Sequence, residues 1–151
     1  NIWYHLGLAH YLKQNWAEAL AAFQNGYDLG GNDDNLVSTG HWIFMILSLM
    51  GEPEKAIQKL QEIHIDMNVI ENMSYHQLCL LYKNEISVDQ LLSANGNNPS
   101  SAAVAYGGAN YFYYNGDKNK SDELLKNIIK GSSWSAFGFI AAEVDLANEE
   151  R

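Results

Sequence analysis

The chain has 151 residues, 47% of them hydrophobic and 18% charged, a balance that excludes a disordered chain. A net charge of −9, with only nine Lys and Arg, argues against nucleic acid and against an anionic membrane surface as partner. One cysteine, Cys79, excludes an internal disulfide and a cysteine-based zinc cluster, and no apolar run approaches the roughly 18 residues of a membrane span.

The first stretch reads WYHLGLAHYLKQNWAEALAAFQNGYDLG. Trp3, Leu6, Gly7 and His10 share one face of a predicted helix. Gly7 has no side chain, so a second helix can approach it closely. Trp16, Ala19, Phe23 and Tyr27 form the matching face of that second helix. Asn15 with Glu18 reads as a capping box that starts it, and Gly30 and Gly31 as its stop. The Trp-x-x-Leu-Gly spacing followed by Ala-x-x-x-Phe resembles the tetratricopeptide repeat family, whose period is roughly 34 residues. His10 departs from the pattern, standing where that family usually has Tyr.

A second copy runs from about 36 to 66. Ile43 repeats the Leu6 slot, and Ala56 and Leu60 repeat Ala19 and Phe23. Gly51-Glu52-Pro53 places proline at a helix start. The excess over one period falls on Asn32-Asp33-Asp34-Asn35, read as a longer loop. Phe44 stands in the small slot held earlier by Gly7, which predicts that these two helices are pushed apart. The third copy, 69–95, is degenerate: Tyr75, Leu78, Cys79 and Tyr82 fit a first helix led by an Asn68…Glu71 capping box. Its second helix opens at Ser87 with Gln90 and is cut short by Asn95-Gly96-Asn97-Asn98-Pro99. The fourth copy, 99–131, has Ala105, Gly108, Ala109 and Phe112 in one helix, a turn at Asn115-Gly116-Asp117, and Ser121, Leu125 and Ile128 in the next. Trp134, Phe137, Gly138 and Ala141 then restate the opening pattern in a final helix, 133–147, with Glu149, Glu150 and Arg151 at its charged end.

The resemblance implies an all-α chain: an α-solenoid of antiparallel helix pairs, about four repeats plus a terminal helix in one domain over 1–151, coiled as a right-handed superhelix. It also implies that the first helices line a concave groove for peptides. Stepping one residue past the Trp slot gives Tyr4, His41, His76 and Tyr106; the next turn gives Leu8, Met45, Leu80 and Asn110. Tyr11, Ser48, Lys83 and Tyr113 form a third row, with Trp42 and Tyr114 nearby. These side chains have two readings. They pack against neighbouring helices, or they form an aromatic groove for an apolar peptide or partner helix, with Tyr and Trp as anchors. Family members that hold a C-terminal carboxylate use basic and amide side chains at such positions. Here only Lys83 and Asn110 match, which argues against an acidic peptide tail.

Other chemistries find less support. His5 and His10 lie about 140° apart on a helix. His41 and His76 could approach across helices, yet Val37, Met45, Asn72 and Leu80 beside them supply no carboxylate for a metal. His64 and Asp66 read as turn residues. Cys79 lies one turn from His76 but occupies a packing slot, which predicts a buried, inert thiol. No phosphate-binding loop or nucleophile elbow is present, and Gly107-Gly108 reads as close helix packing. The expectation is therefore a protein-binding scaffold, with no enzymatic activity, no cofactor and no metal. Its partner is a protein or peptide, with no nucleic acid and no membrane, and a homo-oligomer is possible. The alternative is a spacer or self-associating segment of a longer repeat protein, since the chain opens at Asn1 within a helical pattern. The lone thiol fits a cytoplasmic compartment, and also a secreted protein that needs no bridges.

Overall fold

A computed structural model describes residues 2–95 and 99–148. The described residues are all-helical, with no strand: α1 (Ile2–Leu12), α2 (Trp16–Asp28), α3 (Asp33–Leu49), α4 (Pro53–Lys59), α5 (Met73–Tyr82), α6 (Val88–Asn95), α7 (Pro99–Tyr114), α8 (Lys118–Lys130) and α9 (Phe137–Ala147). None of these helices is long and apolar enough to cross a membrane. The chain divides into two compact units, Asn1–Lys83 and Asn84–Arg151. The division falls inside the span read as the third copy, 69–95, and assigns α5 and α6 to different units.

In the first unit, α1 packs on α2, α2 on α3, and α3 on both α4 and α5. The α1–α2 contact follows from the opening motif. A Cβ on Gly7 would lie 2.7 Å from the Phe23 ring, so only glycine lets the ring seat against α1. Ala19 and Phe23 are fully buried, and burial of the Phe23 ring contributes about 2–3 kcal/mol. Helix α1 ends where Gln14 adopts a left-handed φ of 58°. Asn15 precedes α2 without a side-chain cap bond, so the expected Asn15–Glu18 box does not form. Gly30, at φ 68°, closes α2 as its sequence position predicts.

Helix α3 departs from expectation at its start. Asn32 caps it by accepting from the Asn35 N–H at 3.0 Å, so Asp33, Asp34 and Asn35 form its first turn and not a loop. The two carboxylates there oppose the positive end of the helix dipole. The extra residues of this copy thus lengthen a helix. From Val37 to Leu47 every residue of α3 is buried. Its small slot is Gly40, where a Cβ would lie 2.9 Å from Ile63 Cδ1. Phe44 points elsewhere and stacks on Tyr82 at 4.1 Å and 8°, so it does not wedge α3 from α4. Pro53 opens α4 at its first turn as predicted, but the helix stops at Lys59. Irregular chain then carries Leu60 and Ile63, both fully buried, towards α5. His64 accepts the Met67 N–H through its carbonyl in a turn that includes Asp66.

In the second unit, α6 packs on α7, α7 on α8, and α9 on both α7 and α8. The predicted capping box opens α6: Ser87 N–H donates to Gln90 Oε1 at 2.9 Å, and Gln90 N–H returns to Ser87 Oγ at 3.2 Å. The turn read at 95–99 includes residues 96–98, which lie outside the described residues, as do Glu149, Glu150 and Arg151. Asp117 caps α8 by accepting from the Lys120 N–H, and Ala109, Ser121 and Leu125 are fully buried. Helix α9 begins at Phe137, four residues later than expected. Trp134 therefore lies in the preceding turn, 74% exposed, and takes no packing slot.

Candidate functional site

Burial separates the eleven groove residues into two groups. Tyr11, His41, Trp42, Met45, His76, Leu80, Tyr106 and Asn110 are buried, whereas Tyr4, Leu8 and Tyr113 are partly exposed. The first eight are core: those of α1, α3 and α5 gather around α3, which is buried from Val37 to Leu47, whereas Tyr106 and Asn110 are buried on α7 within the second unit.

Within the first unit, Trp42 is the hub. Its indole stacks on Phe23 at 5.9 Å, meets Tyr11 edge-on at 4.9 Å, and donates Nε1–H to the Tyr4 hydroxyl at 3.0 Å. His41 lies between the Tyr75 ring, 4.8 Å away, and the Tyr82 ring, 5.8 Å away, with its Nδ1 hydrogen-bonded to the Tyr82 hydroxyl at 3.2 Å. Burial pushes the imidazole pKa down to about 3, so it is neutral at ordinary pH. Burial, followed by the neighbouring Tyr75, pushes the Tyr4 phenol up. His76 donates Nε2–H to the His64 carbonyl at 2.8 Å, which fixes the tautomer of its ring. The Cys79 thiol is fully buried against the Val37 carbonyl at 3.6 Å, and burial raises its pKa. Its reactivity as a thiolate is suppressed accordingly. The Lys83 ammonium donates to the Ile63 carbonyl, and the Asn110 amide to the Tyr106 carbonyl. Among the described residues, no group of three or more His, Cys, Asp or Glu is placed to hold a metal ion.

Asp34 has a role that the sequence reading missed. It is nearly buried, and its carboxylate accepts the N–H groups of Ile70 (3.1 Å), Glu71 (2.8 Å) and Asn72 (2.7 Å), while Asp33 accepts that of Asn68 at 2.7 Å. Burial alone would raise the Asp34 pKa, but these backbone donors outweigh it and hold the carboxyl below its usual range. The residues read as an Asn68–Glu71 capping box are instead bound by the start of α3, and α5 begins only at Met73.

This clasp forms one wall of an open polar cleft of 290 Å³. Tyr4 and His5 of α1, Asn35 and Ser38 of α3, and Glu71 and Asn72 before α5 line it. Of the eleven expected groove residues, only Tyr4 reaches it. A paired acidic start at Asp33-Asp34, a helix-opening pattern, was the available sequence signal for this wall. The exposed Glu71 side chain gives the cleft an acidic, hydrogen-bond-accepting rim. Comparison of the chain with protein-family models, with curated proteins and with solved structures finds no match.

Proposed function

We propose that the chain is a helical-repeat interaction module of the tetratricopeptide kind, an α-solenoid of antiparallel helix pairs, and that its first unit holds a polar or cationic peptide. The cleft between α1, α3 and the start of α5 carries this reading. It lies along first-position helices, where a peptide groove belongs in such arrays, and it presents acceptors. The Gly7–Phe23 seat and the buried Ala19 support the repeat assignment. Eight of the eleven expected groove residues are committed to the core and only Tyr4 lines the cleft, so the peptide is read through its donors. Lysine or arginine would meet Glu71, and peptide N–H groups would meet Tyr4 and Asn35.

The test is a displayed random-peptide library selected on the whole chain, with Glu71→Lys as the comparison. The Glu71 side chain is exposed and the clasp uses only its backbone N–H, so this variant keeps its helical circular dichroism. Enrichment of Lys- and Arg-bearing peptides that Glu71→Lys no longer binds supports the proposal. Equal binding by both proteins rejects it. Self-association is a second reading, favoured by the apolar face of α1, where Ile2 is 84%, Trp3 38% and Leu6 40% exposed. Sedimentation that gives a dilution-insensitive monomer removes it.

A further inference from the structure

A second concavity opens in the first unit, sharing no lining residue with the polar cleft. Ala17, Leu20 and Ala21 stand at i, i+3 and i+4 on one face of α2 and make its first wall. The two alanines leave depth that larger side chains would fill. Leu47 and Met50, at the end of α3, make the floor. Lys55 and Lys59 of α4 stand on the opposite wall. The space is 560 Å³, within the range of about 300–1,000 Å³ for small-molecule sites. From Ala17 to Gln24 the α2 wall runs two turns, about 10 Å, which seats most but not all of a dodecyl chain.

Charge decides the head group. Residues 1–83 hold four lysines against nine Asp and Glu, and two of those lysines stand on this trough. Glu52 is paired with Lys55 at 2.7 Å, so that pair is locally neutral. The Lys59 ammonium rests 5.8 Å above the Tyr27 ring, held at the apolar surface. We propose that the trough binds a single-chain amphiphile with an anionic head group, its alkyl chain on Leu20, Leu47 and Met50 and its head group on Lys59.

Titration calorimetry on the whole chain, with dodecanoate below its critical micelle concentration, tests this. Saturable one-to-one binding is expected. Lys59→Gln should weaken it by about tenfold, the loss of one charge-assisted contact. Ala21→Phe, at an exposed helix position, should fill the trough and abolish binding without lowering the melting temperature; Ala17→Phe is a second blocking variant should the first unfold. Dodecyltrimethylammonium and butyrate should bind at least tenfold more weakly than dodecanoate. Glu71→Lys should leave dodecanoate binding unchanged, which separates this site from the peptide cleft. Non-saturating uptake, equal affinity for the cationic amphiphile, or unchanged binding by the folded blocking variants would overturn the proposal.

Discussion

Asp34 accepts from three successive backbone N–H groups that lie 36 to 38 residues further along the chain. Asp34→Ala leaves those donors without an acceptor and should lower stability by on the order of 2–3 kcal/mol in urea unfolding at pH 7. Because the folded chain holds this carboxyl below the unfolded value of about 3.9, the contribution is complete above that pH and is lost as pH falls through the lowered folded value. The gap between wild type and Asp34→Ala should therefore narrow as the pH falls below about 4. His41 acts in a different window. Its folded pKa of about 3 lies below the unfolded value of about 6.5, so the unfolded chain takes up a proton that the folded chain refuses. Stability should fall from about pH 6.5 towards pH 3, by up to about 1.4 kcal/mol per pH unit, and His41→Gln should flatten that slope. Ala19 and Phe23 were legible as buried from their spacing alone, since both partners lie in one local pair. Asp34 was not, because its partners are remote in sequence and are backbone groups that carry no residue code.

Helix register shows the same limit. Helix α1 has exposed and buried sides, and its glycine slot was read correctly. Helix α3 is enclosed all round, so its apolar residues have no periodicity to set a register, and Phe44 was read into a slot that Gly40 fills one turn earlier. Glycines at contacts differ in what opposes them. At Gly40 the opposing atom is the end of the Ile63 side chain, which can move; at Gly138 it is the Ala102 carbonyl oxygen of α7, 2.4 Å from an added Cβ. Gly→Ala within a helix gains about 1 kcal/mol from propensity. Gly40→Ala should therefore come out near neutral, while Gly138→Ala should force α9 from α7 and cost about 2 kcal/mol net. Equal melting temperatures for the two variants would contradict this packing. The Ser87–Gln90 box was legible because both halves of a capping box lie within four residues. The start of α9 was misread because Trp134 satisfies the repeat spacing yet is left in a turn.

The all-helical class was legible from the repeated helical faces and the family resemblance that they carry, but the partition into two compact units was not. Repeat spacing describes neighbours, whereas a packing boundary depends on how much each neighbour buries. The third copy, the most degenerate, contains the boundary. Net charge belongs to the chain as a whole. With −9 over 151 residues, a cationic peptide approaching the polar cleft is attracted from beyond contact distance. Raising ionic strength from 0.01 to 0.15 M shortens the screening length from about 30 to about 8 Å. Stopped-flow association rates for a bound Lys- or Arg-bearing peptide should fall at least several-fold over that range, with a smaller change in dissociation rate. A salt-insensitive association rate would argue for an apolar ligand instead.

Cys79 gives the molecule a built-in probe of its own opening. It is the single thiol of the chain, it is fully enclosed between α5 and the Val37 carbonyl, and its ionisation is suppressed. An alkylating reagent can reach it only when α5 lifts from α3. The labelling rate thus counts excursions of that contact without any engineered tag. Modification should be far slower than for a free thiol in the native chain, and should accelerate in Asp34→Ala, whose clasp tethers the entry to α5.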